Sequence, residues 1–225
     1  MDALPPNAGL YLPALVEQAR AVLPQVPTVL FAGQVEQESC ISLKHSRCWN
    51  PKVELKTARE YGFGLGQLTV AYNADGSERF NAWREVRQLD SRLANWTWEN
   101  RYDAGMQLRA IVVKDRQALR LGTAGVTDPK EARAMMFAAY NGGIGGLLSD
   151  RKLCQATPKC DWTRWWANVE LHSKKSRTPW HGYGKSAFDI NREYPRLIEQ
   201  RAPKYAPAVQ NLTERQAVAD NISHH

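Results

Sequence analysis

The chain lacks any apolar run near the roughly 18 residues that a membrane-spanning helix requires. Its start, Met1-Asp2-Ala3-Leu4-Pro5-Pro6, also lacks the basic residues and long apolar core of a secretion signal. Membrane insertion is therefore not expected, and the chain reads as made in the cytoplasm without an export signal. Internal repeats, low-complexity segments and long blocks of like charge are missing too. With 15 glycines, 12 prolines and 43% apolar residues among 225, the composition excludes collagen-like and disordered classes. The length suits one compact domain with short extensions, and a monomer is expected.

Charge is the skewed term. Lys and Arg outnumber Asp and Glu by 30 to 23, giving +7 and an isoelectric point near 9.3. Something anionic is implied as a partner, and net charge alone does not choose among nucleic acid, acidic lipid and bacterial wall. The basic residues are dispersed, with short clusters such as Lys174, Lys175 and Arg177, whereas a nucleic-acid reader concentrates them on one helix or tail. No nucleic acid partner is expected. Four cysteines fall in two close pairs, Cys40 with Cys48 and Cys154 with Cys160. Two local disulfides suited to an oxidising destination, or four reduced thiols, fit equally. Neither pair has the spacing of a zinc site, and no metal is expected.

Helical periodicity dominates. Leu12, Leu15, Val16, Ala19, Val22 and Leu23 form a stripe ending before Pro24, and a second helix is predicted from Thr28 towards Glu38. Residues 40–61 read as a long loop leading to Gly62, Gly64 and Gly66. Phe80, Trp83, Val86, Leu89, Leu93 and Trp96 step by three or four and predict one amphipathic helix. Ala104 to Leu119 predicts another, and Ala134, Phe137 and Ala138 a third before Asn141 and the glycines 142, 143, 145 and 146. Residues 154–183 read as loop-rich, a last helix is predicted near Asn191–Gln200, and a helical tail follows Lys204. Alternating strand patterns are nearly absent. The fold class expected is mainly α, α+β at most, with a small sheet or hairpin.

Three separated segments carry chemistry: Glu38-Ser39 at a predicted helix end, Gly64-Leu65-Gly66-Gln67-Leu68-Thr69, and Ala139-Tyr140-Asn141-Gly142-Gly143. Tyr194 follows on the late helix. In this order, over roughly residues 28–200, they resemble the soluble lytic transglycosylase family, with Gly66 where the family usually has Met. The resemblance implies a lysozyme-like helical domain with a substrate cleft over residues 27–203, an N-terminal helical extension over 1–26 and a tail over 204–225. It implies cleavage of the β-1,4 bond between N-acetylmuramic acid and N-acetylglucosamine in the glycan strands of peptidoglycan, without a cofactor.

In that chemistry one carboxylic acid protonates the glycosidic oxygen, and the resulting carboxylate removes the proton from the muramyl C6 hydroxyl, closing a 1,6-anhydro ring. The resemblance gives this part to Glu38. An apolar surround from residues 29–35 is expected to favour its protonated form. Ser39, Gln67, Tyr140, Asn141 and Tyr194 are the implied substrate-binding residues. Ser39 is equally suited to local capping. Gln67 can donate to and accept from a sugar, and Tyr140 offers an apolar face with a hydroxyl.

Ordinary glycosidases use two carboxylates. Glu54, Glu60 and Asp75 lie between the segments, so a hydrolysing lysozyme-like or chitinase-like enzyme is the alternative. A non-catalytic wall-binding component of a virion or secretion machine is a third reading. Eight tryptophans are many for this length. Trp83 and Trp96 read as core, and some of Trp162, Trp165, Trp166 and Trp180 are candidates to edge a cleft. Without an export signal, a wall-degrading enzyme needs lysis, a holin pore or virion delivery, so a bacteriophage lysin acting in the periplasm is the expected setting.

Overall fold

A computed structural model describes residues 4–222 of the chain. It divides into two compact units, one formed by Met1–Val113 with Ile198–His225, the other by Lys114–Leu197. The boundaries read from the sequence, at residues 26 and 203, do not coincide with these units.

In the first unit, α1 (Ala8–Val22) buries Leu12, Leu15, Val16, Ala19 and Val22, the stripe visible in the sequence. That stripe packs on α2 (Thr28–Ser39) and on α8 (Ala206–Ile222), which explains why neither terminal helix is a separate extension. A 3-10 helix, Ala202–Tyr205, makes a further close contact with α2. Gly33 permits this approach. A Cβ there would lie 2.6 Å from the Ile198 carbonyl oxygen and 3.2 Å from the Ala202 nitrogen. No side chain fits that gap without a backbone shift.

An antiparallel meander starts inside the segment read as loop, residues 40–61, and runs on past it: β1 (Glu54–Lys56), β2 (Glu60–Phe63), β3 (Leu68–Tyr72) and β4 (Glu78–Asn81), hydrogen-bonded in that order. Phe63 pairs with Leu68 across the Gly64–Gln67 turn, and a bulge follows between Ala71 and Tyr72. The sheet escapes a period-two reading because its strands are three to five residues long and the outer two are largely exposed.

The single amphipathic helix expected from Phe80 to Trp96 is corrected here. Phe80 lies exposed on β4, and α3 (Ala82–Leu89) ends at Asp90. Leu93 and Trp96 then bury themselves from turns. Asn81 sets the start by accepting the Arg84 N–H at 2.9 Å. Trp96 is core, as expected, at 2% exposure, whereas Trp83 is half-buried.

α4 (Ala104–Gly122) and α7 (Ala187–Arg201) contribute residues to both units. The second unit also holds α5 (Pro129–Gly142), α6 (Ile144–Gln155) and a short 3-10 helix, Val169–Leu171. α5 starts with Asp128 accepting the Lys130 N–H at 2.8 Å and Pro129 in the first turn. It is buried almost all round, from Ala134 through Tyr140 without interruption. It stops at Gly143, whose φ of 81° is left-handed, and α6 begins immediately. α6 was not legible because its first turn is the glycine cluster, which reads as loop.

Both cysteine pairs are bridged, Cys40 to Cys48 and Cys154 to Cys160. Among the described residues no helix is long and apolar enough to cross a membrane.

Candidate active site

Glu38 stands half-buried in the last turn of α2. Glu36, two residues earlier, is chemically the same but differently placed. It is buried at 3% exposure and accepts from the Tyr205 hydroxyl at 2.5 Å and Lys204 Nζ at 2.9 Å, with Arg201 Nε at 3.3 Å. Burial and this neighbouring carboxylate push the Tyr205 phenol far above its ordinary value. Glu36 is therefore spent on holding α2, which separates two carboxylates that sequence alone leaves equivalent.

Ser39 completes the hold. Its buried hydroxyl donates to the Val35 carbonyl at 2.7 Å and accepts the Trp49 N–H at 3.0 Å. Trp49 is fully buried with φ of 52°, and its indole N–H donates to the Tyr205 hydroxyl at 2.9 Å. Ser39, Trp49, Tyr205 and Glu36 thus form a hydrogen-bonded link that starts and ends on α2. The Cys40–Cys48 bridge closes the same loop covalently. With its proton given to Val35 and one lone pair taken by Trp49, the buried Ser39 hydroxyl shapes this helix end. Gln34, one helical turn before Glu38 on the same face, buries an amide with no hydrogen-bond partner among the described residues.

Gln67 sits in the same unit, on the β2–β3 turn, with a left-handed φ of 45°. Its side-chain nitrogen donates to the Gly64 carbonyl at 2.9 Å. The turn is clamped from α4 by Gln107, which accepts the Leu65 N–H at 2.8 Å and donates to the carbonyls of Pro51 and Arg101. Gly64, at φ of 78°, leaves room for that amide: a Cβ would stand 2.4 Å from it. Gln107 therefore fixes the shape of the Gly-Leu-Gly-Gln segment, a part that nothing in its spacing announced.

Glu54, on β1, borders a hollow of about 310 Å³ lined also by Arg47, Asn50, Lys52, Val53 and Lys56. The Tyr102 and Tyr61 hydroxyls both donate to its Oε1 and hold its carboxyl below the ordinary carboxylate value.

The other three expected residues come together in the second unit. Tyr140, in the last turns of α5, and Tyr194, on α7, stack with ring centroids 6.3 Å apart and planes within 6°. Both are buried, and Lys114 Nζ lies 3.9 Å from the Tyr140 ring centre. Asn141 is exposed and accepts from Asn191 Nδ2 at 3.0 Å. Asn191 is itself oriented: its nitrogen also donates to the Ala138 carbonyl, and its oxygen accepts from Arg192. Arg192 in turn pairs with buried Asp150 at 2.8 Å, as does Lys175 at 3.1 Å. This relay orients the Asn141 amide through its oxygen, and its exposed nitrogen can still donate.

Of the tryptophans considered for a cleft edge, Trp165 is fully buried, Trp162 lies under Arg151 and Trp166 under Arg196. Trp180 is exposed. Set against known proteins, the chain matches no family model, and no curated protein is significantly similar to it.

Proposed function

We propose that the protein is a peptidoglycan lytic transglycosylase with a lysozyme-like fold, in which Glu38 is the single acid and base. The observation that carries this reading is the ordered set Glu38-Ser39, Gly64 to Gln67, Tyr140-Asn141 and Tyr194, with its one half-exposed carboxylate on a helix end held by a disulfide and a buried hydrogen-bonded link. Glu38 protonates the oxygen between N-acetylmuramic acid and N-acetylglucosamine as the bond breaks. The carboxylate so formed takes the proton of the muramyl C6 hydroxyl, whose oxygen bonds to C1, and the acid is regenerated without water. A reaction that uses one group twice depends on that group keeping its position between steps, and the rigid α2 terminus supports this.

Gln67 and Asn141 supply amides of the kind that hydrogen-bond a glycan, and the buried tyrosine pair stands behind the Asn141 segment. The +7 charge suits peptide carboxylates and anionic envelope polymers. The fold expected for this chemistry, a helical domain with a small antiparallel sheet and a cleft, is part of the proposal.

Glu54 is the observation that favours the hydrolytic alternative, since it is a carboxylate held ionised in the unit that carries Glu38. Mass spectrometry of digested sacculi decides. Terminal 1,6-anhydromuramyl ends are expected; reducing ends would assign the protein to the hydrolases, and sacculus binding with no product would leave a non-catalytic wall component.

A further inference from the structure

Trp180 and Tyr183 are the most exposed aromatic side chains in the described chain, at 54% and 67%. They sit on the loop of residues 173–186, within the second unit, and every residue from Thr178 to Lys185 is exposed. The loop is nevertheless built. Its base closes where the Phe188 N–H donates to the Ser176 carbonyl at 3.1 Å, and Arg177 lies 3.6 Å over the Phe188 ring. Lys175 is fixed on Asp150 and Lys185 on Glu193. Nearer the tip, the Trp180 N–H donates to the Lys185 carbonyl at 3.1 Å and the Tyr183 N–H to the Trp180 carbonyl at 3.0 Å, with Gly182 and Gly184 left-handed at φ of 79° and 68°. These bonds present two rings 6.3 Å apart and 68° to each other.

The chemistry of the loop is selective. It contains Lys174, Lys175, Arg177, His181 and Lys185, and no Asp or Glu. Lys174 and His181 make no ion pair among the described residues. Apart from Pro179, its large apolar side chains are aromatic. An interfacial membrane anchor carries a broader apolar face with Leu or Phe beside Trp, and this loop has no Leu, Ile, Val or Phe. Flat rings with only Pro179 as an aliphatic neighbour suit the apolar faces of pyranose rings, while the excess positive charge suits carboxylates carried beside them.

We propose that Trp180 and Tyr183 form a stacking platform for the glycan strands of peptidoglycan, with Lys174 and His181 meeting carboxylates of its peptides. This inference rests on the transglycosylase reading for its ligand, and its test separates the two. The full-length chain carrying Glu38→Gln, which leaves the wall intact, is pelleted with purified sacculi with and without Trp180→Ala and Tyr183→Ala. The double substitution is expected to weaken binding about tenfold, with Trp180→Phe retaining most of it, and to leave the thermal melt unchanged.

Unchanged sacculus binding by the double variant overturns the platform. So does loss of binding to phosphatidylglycerol vesicles while sacculus binding is kept, because that outcome assigns the loop to a lipid surface. Binding that depends on the rings, in a protein whose Glu38 form releases no anhydromuramyl ends, keeps the platform and removes the transglycosylase reading. Release of those ends with ring-independent binding does the reverse.

Discussion

Two helix ends carry the segments that matter, and they are finished in opposite ways. α2 ends without glycine: Ser39 turns its hydroxyl back on Val35, Cys40 donates its N–H to the Glu36 carbonyl at 2.9 Å, and a disulfide ties the next residues to Cys48. α5 ends on Gly143 in a left-handed turn, and α6 starts at once. The first device spends side chains to immobilise the residue before the turn, which is Glu38. The second spends none, so Tyr140 and Asn141 are held instead by partners on α7. A group proposed to give and retake a proton sits beside a turn tied by side-chain bonds and a disulfide. Groups proposed to bind sit where a relay of amides sets donor and acceptor.

Removing Glu36 attacks the first device most directly. Glu36→Ala takes the acceptor from Lys204 and the Tyr205 hydroxyl, and a loss of about 3–5 kcal/mol in denaturant unfolding is expected, whereas Glu38→Gln, which keeps shape and hydrogen-bonding capacity, is expected to cost much less. Equal effects from both would erase the distinction drawn between the two carboxylates. Opening the Cys40–Cys48 bridge by paired Cys→Ala substitution is expected to cost about 2.5 kcal/mol, from the entropy returned to a short loop, and to lower turnover more than substrate affinity. Asn191→Ala tests the second device. It leaves Arg192 short of an acceptor and frees the Asn141 amide, for about 1–3 kcal/mol and weaker glycan binding with turnover at saturation little changed.

The smallest effect concerns pH. The tyrosine hydroxyls lower the Glu54 carboxyl from its ordinary 4.5, so its contribution is fully present above that value and is lost as pH falls through the lowered one. The fall of stability with pH should therefore be shallower for Glu54→Gln than for the parent below pH 4.5, and the two curves parallel above it.

Much of this was legible because periodicity reports burial. The stripes of α1, α4 and α5 and the stop at Ser39 follow from apolar spacing and helix-ending residues. The sheet was not legible, because strands of three to five residues with exposed edges carry no alternation. Phe80 and Trp96 kept helical spacing by coincidence across a strand, a two-turn helix and a set of turns. At the site, Glu38 was marked by its neighbours in sequence. The parts that hold it were not: Tyr205 meets Glu36 from 169 residues away and Trp49 from 156, a separation no local pattern encodes. Gln107 and Asn191 escaped for the same reason. An amide that clamps a turn looks like any other polar residue on a helix until its partner is known.

The central claim is that one carboxylate, Glu38, performs acid and base steps on the muramyl bond. Sacculi digested with the parent protein and with Glu38→Gln, their soluble products resolved by mass spectrometry, test it most directly. The parent is expected to release 1,6-anhydromuramyl ends, and the variant, still folded and still bound to the wall, at least about a hundredfold fewer. Undiminished anhydromuramyl release by Glu38→Gln would contradict it.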